Sequence, residues 1–259
     1  MDYKYKEYEI KTKKEIPQTK IVTLSDLNWN EKTSKYDMMD IIVKINDILP
    51  KYTFLLGNIT TYNNLKNNLF LNNLKYFFDL LSSITTPYLV FGEKDYRYDD
   101  KYTTIYNLIN IYKQFNVSIV NDILEQDNTN IIGLNLEPNI HYSPEQKKKK
   151  IEKLIKRIDS IIDNKKFNIL MTHSDLSVLK HEKELLNFFD LIFTKTNSTV
   201  EPVSLLDRFK PTKEKIINNF LIENGGIEQT EKLDFIKIKN NRKWLFFIYN
   251  LKTKSSNSF

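Results

Sequence analysis

Short apolar runs of strand length alternate with longer stretches of helical period, and this alternation constrains the fold of the 259-residue chain most. Apolar runs without polar alternation are typical of strands that are buried on both faces. Helices between such strands favour a sheet in which neighbouring strands run parallel. Buried strands are predicted at 20–25, 53–57, 87–92, 117–122, 130–136, 167–173 and 190–195. Helices are predicted at 38–48, 64–82, 103–115, 144–163 and 176–187.

The two ends of the chain predict further strands. Residues 7–16 alternate roughly between polar and apolar side chains, which indicates an edge strand or a hairpin strand. Two closing strands are predicted at 233–239 and 243–251. These terminal strands suggest a second sheet, whereas the segment 200–231 has no pattern that predicts its structure.

The composition excludes several classes of protein. A chain with 41% hydrophobic and 28% charged residues can bury a core and is not intrinsically disordered. The absence of cysteine excludes disulfides, thiolate metal sites and cysteine nucleophiles. No apolar run approaches the roughly 18 residues of a membrane-spanning helix, and the first residues lack the apolar region of a secretory signal. We therefore expect a cytoplasmic protein without a transmembrane segment. The formal charge of +6 indicates little about partners, because lysine is abundant throughout the sequence.

Polar residues and glycines follow the predicted strands, at the positions where α/β folds carry their chemistry. Two of the five glycines are among them, which suggests a backbone geometry that a side chain would disturb. The residues after successive strands are Asp26 and Asn28, then Gly57 and Asn58, then Gly92, Glu93, Lys94 and Asp95, then His173, and finally 194–199.

This order resembles the bacterial branch of the calcineurin-like metallophosphoesterase superfamily, whose strand ends read SDLH, TGD, LGNHD, LSH and SGHTHGGQ. The framework matches over 8–195 and more weakly over 221–251, where NGGIEQ precedes the last strands. The resemblance implies one domain over 1–251, folded as a four-layer α/β/β/α sandwich of two mixed sheets. Residues 252–259 are expected to be a disordered tail. The resemblance also implies a two-metal centre for phosphoester hydrolysis.

The resemblance assigns a role to each matched position, although most of the family's residues are changed. Asp26 and His173 retain the family's metal ligands, and Glu93 replaces a ligand asparagine with another oxygen donor. Lys94 stands at the position of the histidine that protonates the leaving group, and Asp95 is retained, so these two are the implied catalytic residues. The remaining ligand positions, which hold poor ligands, are Asn28, Asn58, Thr196 and Ser198.

These changes argue against a pair of metal ions. A neutral amide at Asn58 removes the negative charge that would hold two dications together. The ammonium groups of Lys94 and Lys195 would add positive charge, which disfavours metal and favours an anion. We therefore predict a degenerate phosphoesterase, or pseudoenzyme, that binds a phosphorylated small molecule or a protein partner in the former active-site cleft. It would hold no metal or one divalent ion such as Mn, Zn or Fe.

Two alternatives remain open. Asp26, Glu93 and His173 would be sufficient ligands for one ion, which would leave a metal-dependent phosphoester hydrolase with a reduced site. In the other alternative, the basic run at 147–157 binds anionic lipid or nucleic acid. The simpler interpretation of that run is a solvated helix face, so neither nucleic acid nor a peripheral membrane contact is the favoured partner. The simpler interpretation of Asp26 is a turn residue, and that of His173 is a structural histidine.

Overall fold

The chain forms fourteen strands and four α-helices within the residues that the computed structural model describes. These residues are 4–12, 14–138, 143–174, 188–193, 219–223, 226–228 and 245–253. The strands of the first half are β1 (Lys4–Thr12), β2 (Thr19–Leu24), β3 (Tyr52–Leu56), β4 (Thr86–Val90), β5 (Arg97–Tyr98), β6 (Lys101–Tyr102) and β7 (Ser118–Ile119). Those of the second half are β8 (Ile123–Gln126), β9 (Thr129–Leu134), β10 (Phe167–Thr172), β11 (Leu191–Phe193), β12 (Asn219–Glu223), β13 (Gly226–Glu228) and β14 (Leu245–Thr253). The helices are α1 (Lys35–Ile48), α2 (Asn68–Ile84), α3 (Ile105–Tyr112) and α4 (Pro144–Asp159), and short 3₁₀ helices cover Asn64–Lys66 and Glu93–Tyr96.

Two six-stranded mixed sheets organise these elements. The first sheet has the order β1-β14-β2-β3-β4-β7, and the second has the order β13-β12-β11-β10-β9-β8. Strands β2, β3, β4 and β7 run parallel to one another, and so do β9, β10 and β11. Antiparallel pairs occur at β2–β14, β8–β9, β11–β12 and β12–β13. The predicted pair of mixed sheets is therefore confirmed.

Three apolar clusters show that the sheets pack face to face with helices outside. Side chains alternate in direction along β3, so that Phe54 and Leu56 face the second sheet while Leu55 faces the helices α1, α2 and α3. The cluster between the sheets includes Phe54, Phe167, Ile169 and Phe193. On the far side of the second sheet, α4 packs against β9, β10 and β11 through Ile151, Ile155 and Ile158. This is the four-layer arrangement that the sequence predicted.

The structure differs from the sequence-based expectations at several elements. β1 is an edge strand but not a hairpin partner of β2, because β14 lies between them. The strands β5, β6 and β8 were not predicted, and β12 and β13 account for part of 200–231. α4 ends at Asp159 rather than at 163, and Ile161 beyond it is 56% exposed. β14 continues to Thr253, two residues into the expected tail. The predicted helix 176–187 and strand 233–239 lie outside the described residues.

No helix in the described ranges is long and apolar enough to cross a membrane. The longest is α2, with 17 residues, and its apolar side chains pack against the first sheet.

Candidate functional site

The loops after β2 and β3 lie side by side at the carboxyl edge of the first sheet. Asp26 N donates to Gly57 O over 3.0 Å and Asn28 N donates to Asn58 O over 2.9 Å, so backbone pairing continues beyond the strands. Asp26, Asn28 and Asn58 have φ angles of 56°, 49° and 54°, in the left-handed region that aspartate and asparagine tolerate better than most residues. The backbone thus explains why Asp and Asn stand at these positions, whatever their chemical role.

The side-chain amide of Asn58 connects three loops. This residue is only 3% exposed. Its Nδ2 donates to Asp26 Oδ1 over 2.8 Å, and its Oδ1 accepts from Lys94 N over 2.9 Å. Each polar atom of the amide therefore has a protein partner. The residue acts as a neutral link between the β2 loop and the β4 loop, at the position where the resemblance implies a bridging carboxylate.

The ammonium group of Lys94 is held by a neutral oxygen. Lys94 Nζ donates to Asn28 Oδ1 over 2.8 Å, and Asn28 Nδ2 donates to Asp26 O over 2.6 Å. Both Lys94 and Asn28 are exposed. Lys94 forms no ion pair with any residue in the described part of the chain. Because an ammonium has three donors, two N–H groups of Lys94 remain for a ligand.

Asp95 is fully buried beneath these loops. Its Oδ2 accepts from Asn58 N and Gly92 N, each over 2.7 Å, and its Oδ1 accepts from Thr60 N over 3.1 Å. Burial raises the pKa of Asp95 to about 7, although the backbone donors oppose that shift. These contacts make Asp95 a residue that positions the β3 and β4 loops. The direct catalytic role implied by the resemblance stays a prediction, and it would need a carboxyl group that a ligand can reach.

His173 extends the site to the second sheet. Its Nδ1 lies 2.6 Å from Leu56 O, and a carbonyl oxygen only accepts, so Nδ1 carries a proton and donates this hydrogen bond. A Cβ added to Gly92 would lie 2.7 Å from His173 Cδ2 and in direct conflict with Asn58 Oδ1. Gly92 is therefore required for the close approach of His173 and Asn58, as its place at a strand end suggested.

Glu93 is directed to the hairpin that follows it. Its Oε1 accepts from Tyr102 OH over 3.1 Å. Tyr102 belongs to the β5–β6 hairpin, which the sequence analysis missed. The sequence offers only one weak signal for this hairpin, the dipeptide Asp99–Asp100 between tyrosine-containing segments. In the structure this dipeptide forms the turn, where Asp99 has a φ of 49°.

Among the described residues, the donor set at this edge does not match the two-metal centre that the resemblance implies. Both polar atoms of Asn58 are engaged within the protein, and Lys94 brings a positive charge next to Asn28. Within the described ranges, no three His, Asp or Glu side chains lie close enough together to hold a metal ion. Asp26, Glu93 and His173 are all described, so this structure does not bring them together around one ion, and the one-ion set stays a prediction. The predicted positions Lys195, Thr196 and Ser198 lie outside the described residues, as do His141 and His181.

Comparison with known proteins gives likeness in fold only. A scan against protein-family models finds no match, and a search of curated proteins finds no significant match. Solved structures similar to the chain include a nuclease MPE from Pseudomonas putida, with 10% identity, 47% coverage of this chain and a TM-score of 0.29. This chain spans 57% of the length of that nuclease. A dimetal phosphatase from Danio rerio is 9% identical, and the match covers 66% of this chain and 78% of the phosphatase, with a TM-score of 0.44. GAP50, the anchor in the inner membrane complex of Plasmodium, is 13% identical, and the match covers 68% of this chain and 65% of GAP50, with a TM-score of 0.40. All three TM-scores are below 0.5, so these likenesses carry no argument about the function of this chain.

Proposed function

We propose that the carboxyl edge of the first sheet binds a phosphorylated ligand through Lys94, and that the protein does not hydrolyse phosphoesters with two metal ions. The observation that carries the proposal is the engagement of Asn58 by both Asp26 and Lys94 N. A carboxylate at that position would attract cations to the site, whereas the bound amide adds no charge. Hydrogen bonds within the protein thus occupy a place where the resemblance implies metal coordination.

Lys94 supplies the positive charge for such a ligand. Its ammonium group is exposed, and Asn28 Oδ1 uses one of its three donors. Hydrogen bonds from a charged donor to a phosphoryl oxygen are about twice as strong as neutral ones. A phosphoryl group beside Lys94 would gain a charge-assisted bond without displacing an ion pair. This chemistry is common to a phosphorylated small molecule and a phosphorylated protein partner.

The first test measures binding of inorganic phosphate by calorimetry and ³¹P NMR. We expect Lys94→Gln to weaken binding at least 10-fold, while Lys75→Gln, which removes an exposed charge from α2, leaves it unchanged. Equal affinities in the two variants would contradict the role of Lys94. If the protein hydrolyses bis(p-nitrophenyl) phosphate in the presence of Mn²⁺ and Asp26→Ala abolishes that activity, the proposal that metal-dependent hydrolysis has been lost is contradicted. A phosphoserine peptide and a nucleotide, tested in parallel, distinguish a protein ligand from a small molecule.

The hydrogen bond of His173 Nδ1 favours one alternative function, a hydrolase with a single metal ion. Histidines that bind metals commonly donate their second nitrogen to a carbonyl, as Nδ1 of His173 does to Leu56 O. Calorimetric titration of metal-stripped protein with Mn²⁺ and Zn²⁺ separates the two functions. One ion that is lost in His173→Ala supports the alternative, and two ions per chain contradict both. The absence of binding at micromolar metal favours the phosphate-binding function.

A further inference from the structure

The outer helix α4 segregates its charges along its length. Its apolar face, Ile151, Ile155 and Ile158, is buried against the second sheet. The acidic residues of α4 recur at intervals of seven residues, so they form a row along one flank of the helix. Lys149, Lys153 and Lys156 recur at intervals of four and three residues on the side opposite the buried face, and all three are exposed. The acidic row consists of Glu145, Glu152 and Asp159.

The three lysines, here called the α4 lysine row, are not neutralised by the acidic residues beside them. Glu145 and Glu152 precede Lys149 and Lys156 by four residues, the spacing that best supports an ion pair on a helix. Glu152 instead lies 3.7 Å from Lys148. Within the described ranges, no acidic group lies within ion-pair distance of the α4 lysine row. The lysines therefore present a line of uncompensated charge.

We propose that the α4 lysine row binds the phosphate backbone of a nucleic acid. From Lys149 to Lys156 the helix rises about 10 Å. Along the axis of a DNA duplex, one strand passes about three phosphates over that length, at a rise of roughly 3.4 Å each. When α4 lies parallel to the duplex axis, the three ammonium groups are therefore beside about three phosphates, and the long lysine side chains follow the strand as it turns around the duplex. The proposal concerns a surface separate from Lys94 and does not depend on the proposed function.

Two properties of α4 favour a linear polyanion over an anionic membrane surface. Amphipathic helices that bind bilayers insert an apolar face, but the apolar face of α4 is used for packing inside the protein. The acidic row also lies on one flank of the lysine row, where a broad anionic plane would be repelled. A duplex parallel to the helix axis, on the side of the lysine row away from the acidic row, would meet the lysines first.

The test is fluorescence anisotropy with a labelled 20-base-pair DNA duplex at several salt concentrations. The variant is Lys149→Gln/Lys153→Gln/Lys156→Gln. The matched control removes the same charge from exposed lysines elsewhere, Lys32→Gln/Lys75→Gln/Lys113→Gln. Three phosphate contacts predict that affinity falls by about 40-fold between 50 and 200 mM salt. We expect the row variant to lose at least 10-fold in affinity and most of this salt dependence, and the control to change less than 3-fold.

Several outcomes would overturn the proposal. Equal losses in the row variant and the matched control would show that net charge, not α4, governs binding. The absence of binding at 100 µM protein and 50 mM salt would also overturn it. A third contradicting result is that the protein does not bind the duplex but binds vesicles containing 30% phosphatidylserine through the lysine row. The row variant should bind inorganic phosphate as the unsubstituted protein does, so failure here is distinguishable from failure of the phosphate site.

Discussion

The hydrogen bond between Asn58 and Asp26 can be converted into a carboxylate pair by one substitution, Asn58→Asp. Asn58 Nδ2 lies 2.8 Å from Asp26 Oδ1 and is shielded from solvent, with the residue 3% exposed. The variant would replace the amide donor by an oxygen and place two carboxylates in contact. Like charges at this distance cannot both ionise without a large cost, so one of them should take up a proton.

The size of the effect follows from that proton. An unperturbed aspartate has a pKa of about 3.9, and holding it protonated at pH 7 costs roughly 4 kcal/mol, against about 1.5 kcal/mol at pH 5. The protonated group would donate to its partner and so restore the lost bond. We therefore expect Asn58→Asp to lower the free energy of unfolding by about 2–4 kcal/mol at pH 7 and by less than about 2 kcal/mol at pH 5.

Urea unfolding followed by circular dichroism measures this difference. The control is the exchange variant Asp26→Asn/Asn58→Asp, which restores one amide and one carboxylate with the charge unchanged and should recover most of the lost stability without metal. Mn²⁺ should stabilise Asn58→Asp more than the unsubstituted protein, because two adjacent carboxylates attract a divalent ion. Two results would refute the proposed carboxylate repulsion. One is Asn58→Asp with the same stability as the unsubstituted protein at pH 7. The other is an exchange variant that is no more stable than Asn58→Asp.

Three further predictions concern residues below the site and in the core. Burial raises the pKa of Asp95 to about 7, so between pH 4 and 7 the folded protein keeps a proton on this carboxyl that the unfolded chain releases. The free energy of unfolding should therefore be highest below pH 4 and should fall by up to about 4 kcal/mol as the pH rises to 7. Comparing urea unfolding of the unsubstituted protein with Asp95→Asn between pH 4 and 8 should reveal this slope, and a carboxyl that titrates below pH 4 by ¹³C NMR would contradict it. Gly57→Ala should lower the free energy of unfolding by at least about 2 kcal/mol, because Gly57 has a φ of 78° and a Cβ there would lie 2.8 Å from Gly92 Cα. A variant that unfolds at the same temperature as the unsubstituted protein would contradict the left-handed conformation of Gly57 and its close contact with Gly92. Tyr112→Phe should leave stability unchanged or raise it by about 1 kcal/mol, since the Tyr112 hydroxyl is buried without a hydrogen-bond partner in the described part of the chain. The contrasting variant Tyr52→Phe should lower stability by about 1 kcal/mol, because Tyr52 OH donates to Asp127, and an equal loss in both would indicate an unrecognised partner of Tyr112.

Local patterns identified most of the elements because each pattern reflects burial on a fixed period. The strand 167–173 carries apolar side chains on both of its faces because β10 is buried between α4 and the first sheet. The helical spacing of Ile151, Ile155 and Ile158 reflects the single face that α4 buries. The hairpin β5–β6 escaped detection because its strands have two residues each and bury little, which leaves no periodicity to observe.

The positions of the site residues were predictable, but their contacts were not. Residues after parallel strands of one sheet must meet at its carboxyl edge, so Asp26, Asn58 and Lys94 were expected near one another. Which of them bond depends on loop geometry, and that geometry depends on the buried carboxylate of Asp95 and the close approach at Gly92. Glu93 illustrates the limit, because its partner Tyr102 belongs to a hairpin that the sequence did not predict.

The sequence by itself determined the class of fold, because burial on two faces of a strand or one face of a helix leaves a recognisable pattern in most of the longer elements. It also determined which chemical groups stand at the carboxyl edge, including the amide at Asn58 and the ammonium at Lys94. Only the tertiary structure decided that β14 lies between β1 and β2, since strand pairing between the chain's ends depends on contacts distant in sequence. It alone decided that the Asn58 amide is bonded on both sides, because that arrangement requires three loops to converge within hydrogen-bond distance.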